Sequence, residues 1–157
     1  MAEETANPPA GEPLGDPRTK MVLVVDDDEA LLNLLEILVR RDGFEVILAN
    51  NGETALQKLA RKPHAVLLDL ILPNSQSGLD VLRHIGAQPT PHPEIIVITG
   101  LDAQQPAVQE AKKNPLVKDF HFKPINQEKL LGQLHRLLKT RPAARKPRPE
   151  AQAPRQP

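Results

Sequence analysis

Short apolar runs alternate with helical patterns along residues 20–140. The first run, Met21–Val25, is continuous and β-branched, which is typical of a strand buried on both faces. Leucines then recur at helical spacing from Leu31 to Leu38, and Gly43 ends this helix. The same alternation predicts further strands at 44–49, 65–68, 94–99 and 117–122. Helices are predicted from 51 to before Pro63, around 79–85, over about 103–113, and after Asn126 as N-cap.

Five strands that are apolar throughout predict a sheet with no solvated face. Parallel sheets have this property, because right-handed crossover connections place helices on both sides. The expected fold is therefore α/β, a five-stranded parallel sheet with helices on both faces in a (βα)5 arrangement. Ligands of such sheets bind beyond the carboxyl ends of the strands, near the point where the strand order reverses.

The two ends of the chain differ in composition from this domain. Nine of the 17 prolines lie in residues 1–19 and 141–157, which contain few large apolar side chains. Such segments cannot offset the entropic cost of ordering, so 1–19 and 141–157 are predicted to be disordered arms around a 20–140 domain. The net charge of zero hides an acidic first arm (Glu3, Glu4, Glu12 and Asp16 against Arg18) and a basic second arm (Arg141, Arg145, Lys146, Arg148 and Arg155 against Glu150).

Several classes of protein are excluded by composition. The absence of cysteine rules out disulfides, thiolate zinc sites and a cysteine nucleophile. The N-terminus has no apolar signal region, and no apolar run approaches the roughly 18 residues that a membrane span requires. We expect a cytoplasmic protein with no membrane partner.

Polar side chains follow four of the predicted strands. Asp26, Asp27 and Asp28 come after the first strand and Asp69 after the third, while Thr99 ends the fourth and Lys123 follows the fifth. Carboxylates that meet at one sheet edge repel each other unless a cation compensates, and all-oxygen ligation is the preference of Mg²⁺. Lys123 and Thr99 suit the oxygens of a phosphoryl group, and Asp69 is then the candidate nucleophile for an aspartyl-phosphate.

The segments that carry these residues, VLVVDDDEALL, VLLDLILP, IIVITG and DFHFKP, resemble the motifs of response-regulator receiver domains of two-component signalling. The resemblance covers about residues 20–140. It implies that Asp69 is the phospho-acceptor and that Lys123, Thr99 and Phe120 form the catalytic and switch residues. It implies Mg²⁺ bound by Asp26, Asp27, Asp69 and the backbone carbonyl of Ile71, and a cis peptide bond before Pro124.

The same resemblance implies a function. Asp69 would accept a phosphoryl group from a phosphohistidine of a histidine kinase or phosphotransfer protein. The domain would then signal through a conformational switch or pass the phosphate on in a phosphorelay. Such a domain is not an enzyme in the ordinary sense, because it catalyses its own phosphorylation and dephosphorylation. A downstream protein would bind the face formed by the fourth helix, fifth strand and fifth helix.

Three features depart from the family pattern. Four residues rather than three separate Pro73 from Gly78, which affects the loop after the acceptor strand. The fourth helix is weak, with Pro106 near its start. Ile71 is apolar where some relatives have a polar side chain that positions the hydrolytic water, which predicts slow self-dephosphorylation.

Other functions fit the sequence less well. A haloacid-dehalogenase-type phosphatase would use Asp26 as nucleophile and Asp28 as general acid, but it leaves Asp69 unexplained and lacks a late pair of acids. A degenerate receiver that only binds protein is disfavoured because every chemical position is filled. The 17 residues after the domain leave no room for a DNA-binding output domain, which predicts a stand-alone receiver. The basic tail lacks aromatic residues for base stacking, so a spacer is favoured over a nucleic-acid arm.

Overall fold

Strands and helices alternate along residues 13–142, the part of the chain that the computed structural model describes. The strands are β1 (Met21–Val25), β2 (Glu45–Ala49), β3 (Ala65–Leu68), β4 (Glu94–Thr99) and β5 (Val117–Phe122). The helices are α1 (Glu29–Arg41), α2 (Gly52–Lys58), α3 (Gly78–Ala87), α4 (Pro106–Lys112) and α5 (Gln127–Leu138). A 3-10 turn, Leu59–Arg61, continues α2. The predicted α/β fold is confirmed.

The five strands form one parallel sheet in the order β2-β1-β3-β4-β5. The chain moves outward from β1 to β2 and then returns past β1 to β3, so the order reverses between β1 and β3. Val25 pairs with Ala49 on one side and with Leu68 on the other. The register therefore brings the residues that follow β1 and β3 to the same place, at the switch point of the sheet.

The sheet has an apolar core on each face. Val22 and Val24 pack with α1 and α5, while Leu23 and Val25 pack on the other side with α2, α3 and α4. All four valine and leucine side chains are at most 1% exposed. Apolar and polar residues alternate in a strand that has one face in solvent. These strands are covered on both faces, which explains the continuous apolar runs of the sequence.

Local signals set the helix ends. The Asp28 carboxylate accepts hydrogen bonds from the N–H groups of Ala30 and Leu31 and so caps α1, which ends before Gly43 at a φ of 104°. Helix α4 is shorter than the predicted 103–113, because it begins only at Pro106 and its N-cap, Gln105, makes no side-chain capping bond. Within residues 13–142, no helix has the length and apolar character needed to cross a membrane.

The segment just before β1 differs from the prediction. Residues 13–19 were expected to belong to a disordered arm, but the Gly15 N–H donates to the Lys139 carbonyl and the Arg141 N–H donates to the Gly15 carbonyl, both at 2.8 Å. Pro17 is buried and packs over Gly43. Composition alone missed these contacts because main-chain hydrogen bonds do not depend on apolar side chains. The rest of the two predicted arms, 1–12 and 143–157, lies outside the described residues.

Candidate functional site

The carboxyl ends of four strands deliver the site, as their sequence positions indicate. Asp26 directly follows β1, Asp69 follows β3, Thr99 is the last residue of β4, and Lys123 follows β5. The Lys123 N–H donates to the Thr99 carbonyl at 2.9 Å, and its peptide bond to Pro124 is cis. The backbone of β5 is thereby held beside β4 up to the lysine itself.

Lys123 joins the two buried carboxylates. Its Nζ lies 2.9 Å from Oδ2 of Asp26 and 3.1 Å from Oδ2 of Asp69. The two aspartates are 2% and 4% exposed, so water cannot screen their charges effectively. The ammonium group therefore neutralises part of the negative charge of the two carboxylates.

Burial and charge act in opposite directions on these groups. Burial raises the pKa of Asp69, and the neighbouring charge of Asp26 raises it further, which together outweigh the hydrogen bonds from Ile71 and Lys123. Burial alone would lower the pKa of Lys123, but its hydrogen bonds to Asp26 and Asp69 outweigh burial and raise it. The lysine is thus held in its charged form, next to an Asp69 carboxylate whose ionised form is disfavoured by burial.

Three carboxylates converge at this point. One oxygen from each of Asp26, Asp27 and Asp69 lies within 4.8 Å of the other two. Asp26 and Asp69 are buried, whereas Asp27 is exposed. Three hard oxygen ligands that open to solvent on one side fit a divalent cation that keeps some of its water, as Mg²⁺ does.

The backbone around Asp69 is closely packed. The Ile71 N–H donates to Oδ1 of Asp69 at 3.1 Å, while the Ile71 side chain is 53% exposed. A Cβ on Gly78 would overlap the carbonyl oxygen of Asp69 and lie 2.5 Å from Cα of Leu70. Sequence reasoning missed this role of Gly78, and the only signal was its position directly after Ser77, the N-cap of α3.

Thr99 and Phe120 lie on the neighbouring strands β4 and β5. The Thr99 side chain is fully buried, and its hydroxyl accepts a hydrogen bond from the Leu101 N–H at 3.1 Å. Phe120 is partly buried against the core and stacks on Phe122 at 6.3 Å between ring centroids. The arrangement as a whole defines a doubly wound α/β domain with a carboxylate–lysine site at its switch point.

The family follows from comparison with known proteins. Residues 22–135 match the family model for the response regulator receiver domain, and the chain belongs to this family. A curated relative, the alkaline phosphatase synthesis transcriptional regulatory protein PhoP of Bacillus subtilis, is 31% identical over 76% of this chain and 49% of that protein. The chain therefore spans about half the length of that relative.

Solved structures show the same fold. A response regulator receiver domain from Bermanella marisrubri is 35% identical, with a TM-score of 0.67 over 75% of this chain and 97% of that one. The receiver domain of a sensor histidine kinase from Pseudomonas aeruginosa is 26% identical, with a TM-score of 0.67 over 76% and 97% of the two chains. That structure has a magnesium ion coordinated in its active site cleft.

The haloacid-dehalogenase alternative does not fit these findings. It requires Asp28 as a general acid, but the Asp28 carboxylate is engaged as the N-cap of α1. It also gives no role to Asp69, which shares Lys123 with Asp26. The family match favours the receiver over this class of phosphatase.

Proposed function

We propose that this protein is a response regulator that accepts a phosphoryl group on Asp69 from the phosphohistidine of a histidine kinase or phosphotransfer protein. The observation that carries the proposal is the bridge of Lys123 between Asp26 and Asp69 at the switch point of the sheet. An Oδ atom of Asp69 forms the new P–O bond, the P–N bond of the donor breaks, and the imidazole leaves with the bonding electrons.

The residues around Asp69 have separate tasks in this transfer. The Ile71 N–H holds one oxygen of Asp69 and so orients the other. The Lys123 ammonium already contacts Asp69 and is placed to bind an oxygen of the incoming phosphoryl group. Asp26, Asp27, Asp69 and the backbone carbonyl of Ile71 would hold Mg²⁺. This ion would neutralise charge on the phosphoryl oxygens.

Phosphorylation is expected to change the conformation of the domain. A phosphoryl group adds about −1.5 to −2 charges at neutral pH. The buried Thr99 hydroxyl would exchange its bond from Leu101 for a bond to the phosphate, and Phe120 would move into the space released. The resulting state would bind a downstream protein through the α4–β5–α5 face, or donate its phosphoryl group onward. We place this exchange in the cytoplasm, where kinases have access to ATP.

The test is phosphorylation of the purified chain by acetyl phosphate and by a phosphorylated histidine kinase, followed by intact mass. We expect the wild type to gain one phosphoryl group, and Asp69→Asn and samples with EDTA to gain none. Asp102→Asn serves as the control, because Asp102 is an exposed carboxylate outside the site. Uptake by Asp69→Asn at the wild-type rate would refute the assignment of the acceptor.

A further inference from the structure

A cavity of about 710 Å³ lies at the edge of the sheet opposite Asp69. It is formed where the chain enters β1, β3 and β4, together with the ends of α3 and α5. Its wall includes Lys20 before β1, Lys62 and His64 before β3, and Lys139 after α5. Nothing in the phosphorylation chemistry uses these residues, so the cavity calls for a separate explanation.

The cavity has an excess of positive charge. Within residues 13–142, the ammonium groups of Lys20, Lys62 and Lys139 form no ion pair or hydrogen bond. One carboxylate in the wall, that of Glu94, lies 4.0 Å from Lys118, which is not part of the wall. The wall therefore carries three lysines, of which Lys62 and Lys139 are exposed, against one acid, and this charge is complementary to an anionic occupant.

Two of the three lysines have an unusual backbone conformation. Lys62 and Lys139 both have φ of 58°, in the left-handed region that glycine or asparagine normally occupies. Each follows a helical segment, where a cation is favoured by the helix dipole. The parallel fold places the carboxyl ends of its crossover helices at the edge where β1 begins, which brings Lys62 and Lys139 into one cavity with Lys20.

The segment that precedes the described residues has the complementary charge. Residues 1–12 contain Glu3, Glu4 and Glu12 and no lysine or arginine. Gly15 forms a parallel bridge with Thr140, and its N–H donates to the carbonyl of Lys139. Because the bridge is parallel, the chain enters Gly15 from the same side as it enters Thr140, which is the side of Lys139. The acidic segment is therefore attached next to the cavity wall.

We propose that residues 1–12 bind in this cavity, with their glutamates beside Lys20, Lys62 and Lys139. Twelve residues reach at most about 40 Å when extended, which is ample to enter a cavity whose wall begins at Lys139. A short tether gives an effective concentration on the order of millimolar, so even weak ionic contacts are populated. This contact is independent of Asp69 phosphorylation. It would cover the sheet edge opposite the phospho-acceptor.

Paramagnetic relaxation enhancement on the full chain tests the proposal. The chain has no cysteine, so Ala6→Cys gives one site for a nitroxide label. We expect the amide signals of Lys62, His64 and Gln88 to lose most of their intensity at low salt. Those of Asp27, Ile71 and Gly100, at the opposite edge, should keep theirs. Raising the salt to 1 M shortens the Debye length to about 3 Å and should restore the lost signals.

Charge variants separate docking from mere proximity. The cavity variant combines Lys20→Gln with Lys62→Asn and Lys139→Asn, because asparagine tolerates a positive φ. The control combines Lys112→Gln, Lys113→Gln and Lys129→Gln, which removes the same charge at the end of α4 and the start of α5. The broadening should vanish in the cavity variant and in Glu3→Gln/Glu4→Gln/Glu12→Gln, and should persist in the control.

Four results would overturn the proposal. The first is equal signal loss at both sheet edges, and the second is broadening that survives in the cavity variant. The third comes from mixing spin-labelled chains with isotope-labelled chains that carry no spin label. Broadening of the cavity signals in that mixture would assign the occupant to a second copy of the chain. The fourth is absence of broadening in every sample, which would refute docking of residues 1–12.

Discussion

The two oxygens of Asp69 have different neighbours, and this difference sets what the residue can do. Oδ1 accepts from the Ile71 N–H, and Oδ2 contacts Lys123. The order of residues around each strand end was enough to predict that Asp26, Asp69 and Lys123 meet at one edge. It could not predict which oxygen has which partner, because that depends on the rotamer that Asp69 adopts among buried neighbours.

Ile71 provides a prediction for the lifetime of the phosphorylated state. Its side chain is 53% exposed beside the acceptor, and it can neither donate nor accept a hydrogen bond to an attacking water. We expect slow self-dephosphorylation and a severalfold faster rate in Ile71→Asn, measured as loss of the phosphorylated mass after the donor is removed. Ile71→Val should leave the rate unchanged. A wild-type half-life of seconds that Ile71→Asn does not alter would contradict this reasoning.

His64 provides a prediction about pH. Burial lowers its imidazole pKa below the ordinary 6.5, and the charge of Lys20 lowers it further. Protonation would also disrupt the bond in which the Met21 N–H donates to Nδ1 at 3.0 Å. The unfolded chain therefore binds a proton more readily than the fold does, so this group makes the free energy of unfolding fall as the pH drops through and below 6.5.

NMR titration of the His64 ring checks this prediction. The midpoint should lie below 6.5 and move upward in Lys20→Gln, though not fully, since burial remains. Lys112→Gln, at the far end of α4, should leave the midpoint in place. A midpoint above 6.5 in the wild type would show that the electrostatic reasoning is wrong.

At the scale of elements, the loop between β3 and α3 adapts to its extra residue. Asn74 adopts φ of 69°, which asparagine tolerates better than most residues. Ser77 and Asp80 then form a capping box that starts α3. The sequence indicated unusual loop geometry here, and the positive φ of Asn74 lies within this loop.

Gly78 provides a prediction about this junction. Gly78→Ala should lower the free energy of unfolding by about 1–3 kcal/mol, because the added methyl group would collide with the backbone of Asp69 and Leu70. Gly86→Ala, in the same helix, should gain up to about 1 kcal/mol, since its Cβ would meet only Leu116 at 3.9 Å. Urea denaturation measures both. Equal effects of the two substitutions would show that the close approach at Gly78 is unimportant.

At the scale of the whole molecule, a buried polar chain connects the two ends of the domain. His135 on α5 lies 3.1 Å from Asp42 at the end of α1 and 2.8 Å from the Thr140 hydroxyl. All three residues are at most 4% exposed. Because a carboxylate accepts, Nε2 of His135 donates to Asp42, while Nδ1 forms a hydrogen bond with the Thr140 hydroxyl. Thr140 in turn is bridged to Gly15.

Thr140→Val tests this connection. It leaves Nδ1 of His135 buried without its hydrogen-bond partner, which should cost about 1–3 kcal/mol in the free energy of unfolding. Amide exchange at Gly15 and Arg141 should become faster as the terminal bridge loosens. Thr19→Val removes an exposed hydroxyl bond and should change stability by less than about 0.5 kcal/mol. If Thr140→Val lowered the free energy of unfolding no more than Thr19→Val does, the network would not hold the two ends of the domain together.

The pattern of apolar and polar residues was enough to predict the βα alternation, the parallel sheet and the positions of the carboxylates, hydroxyl and lysine at the strand ends. These follow from local periodicity and from the common direction of parallel strands, which need no knowledge of long-range contacts. Three contacts became visible only in the folded chain: Lys123 bridges two aspartates, Gly78 packs on Asp69, and Gly15 pairs with the end of the domain. Each of these depends on atoms far apart in the chain meeting at hydrogen-bonding or van der Waals distance, which no local pattern encodes.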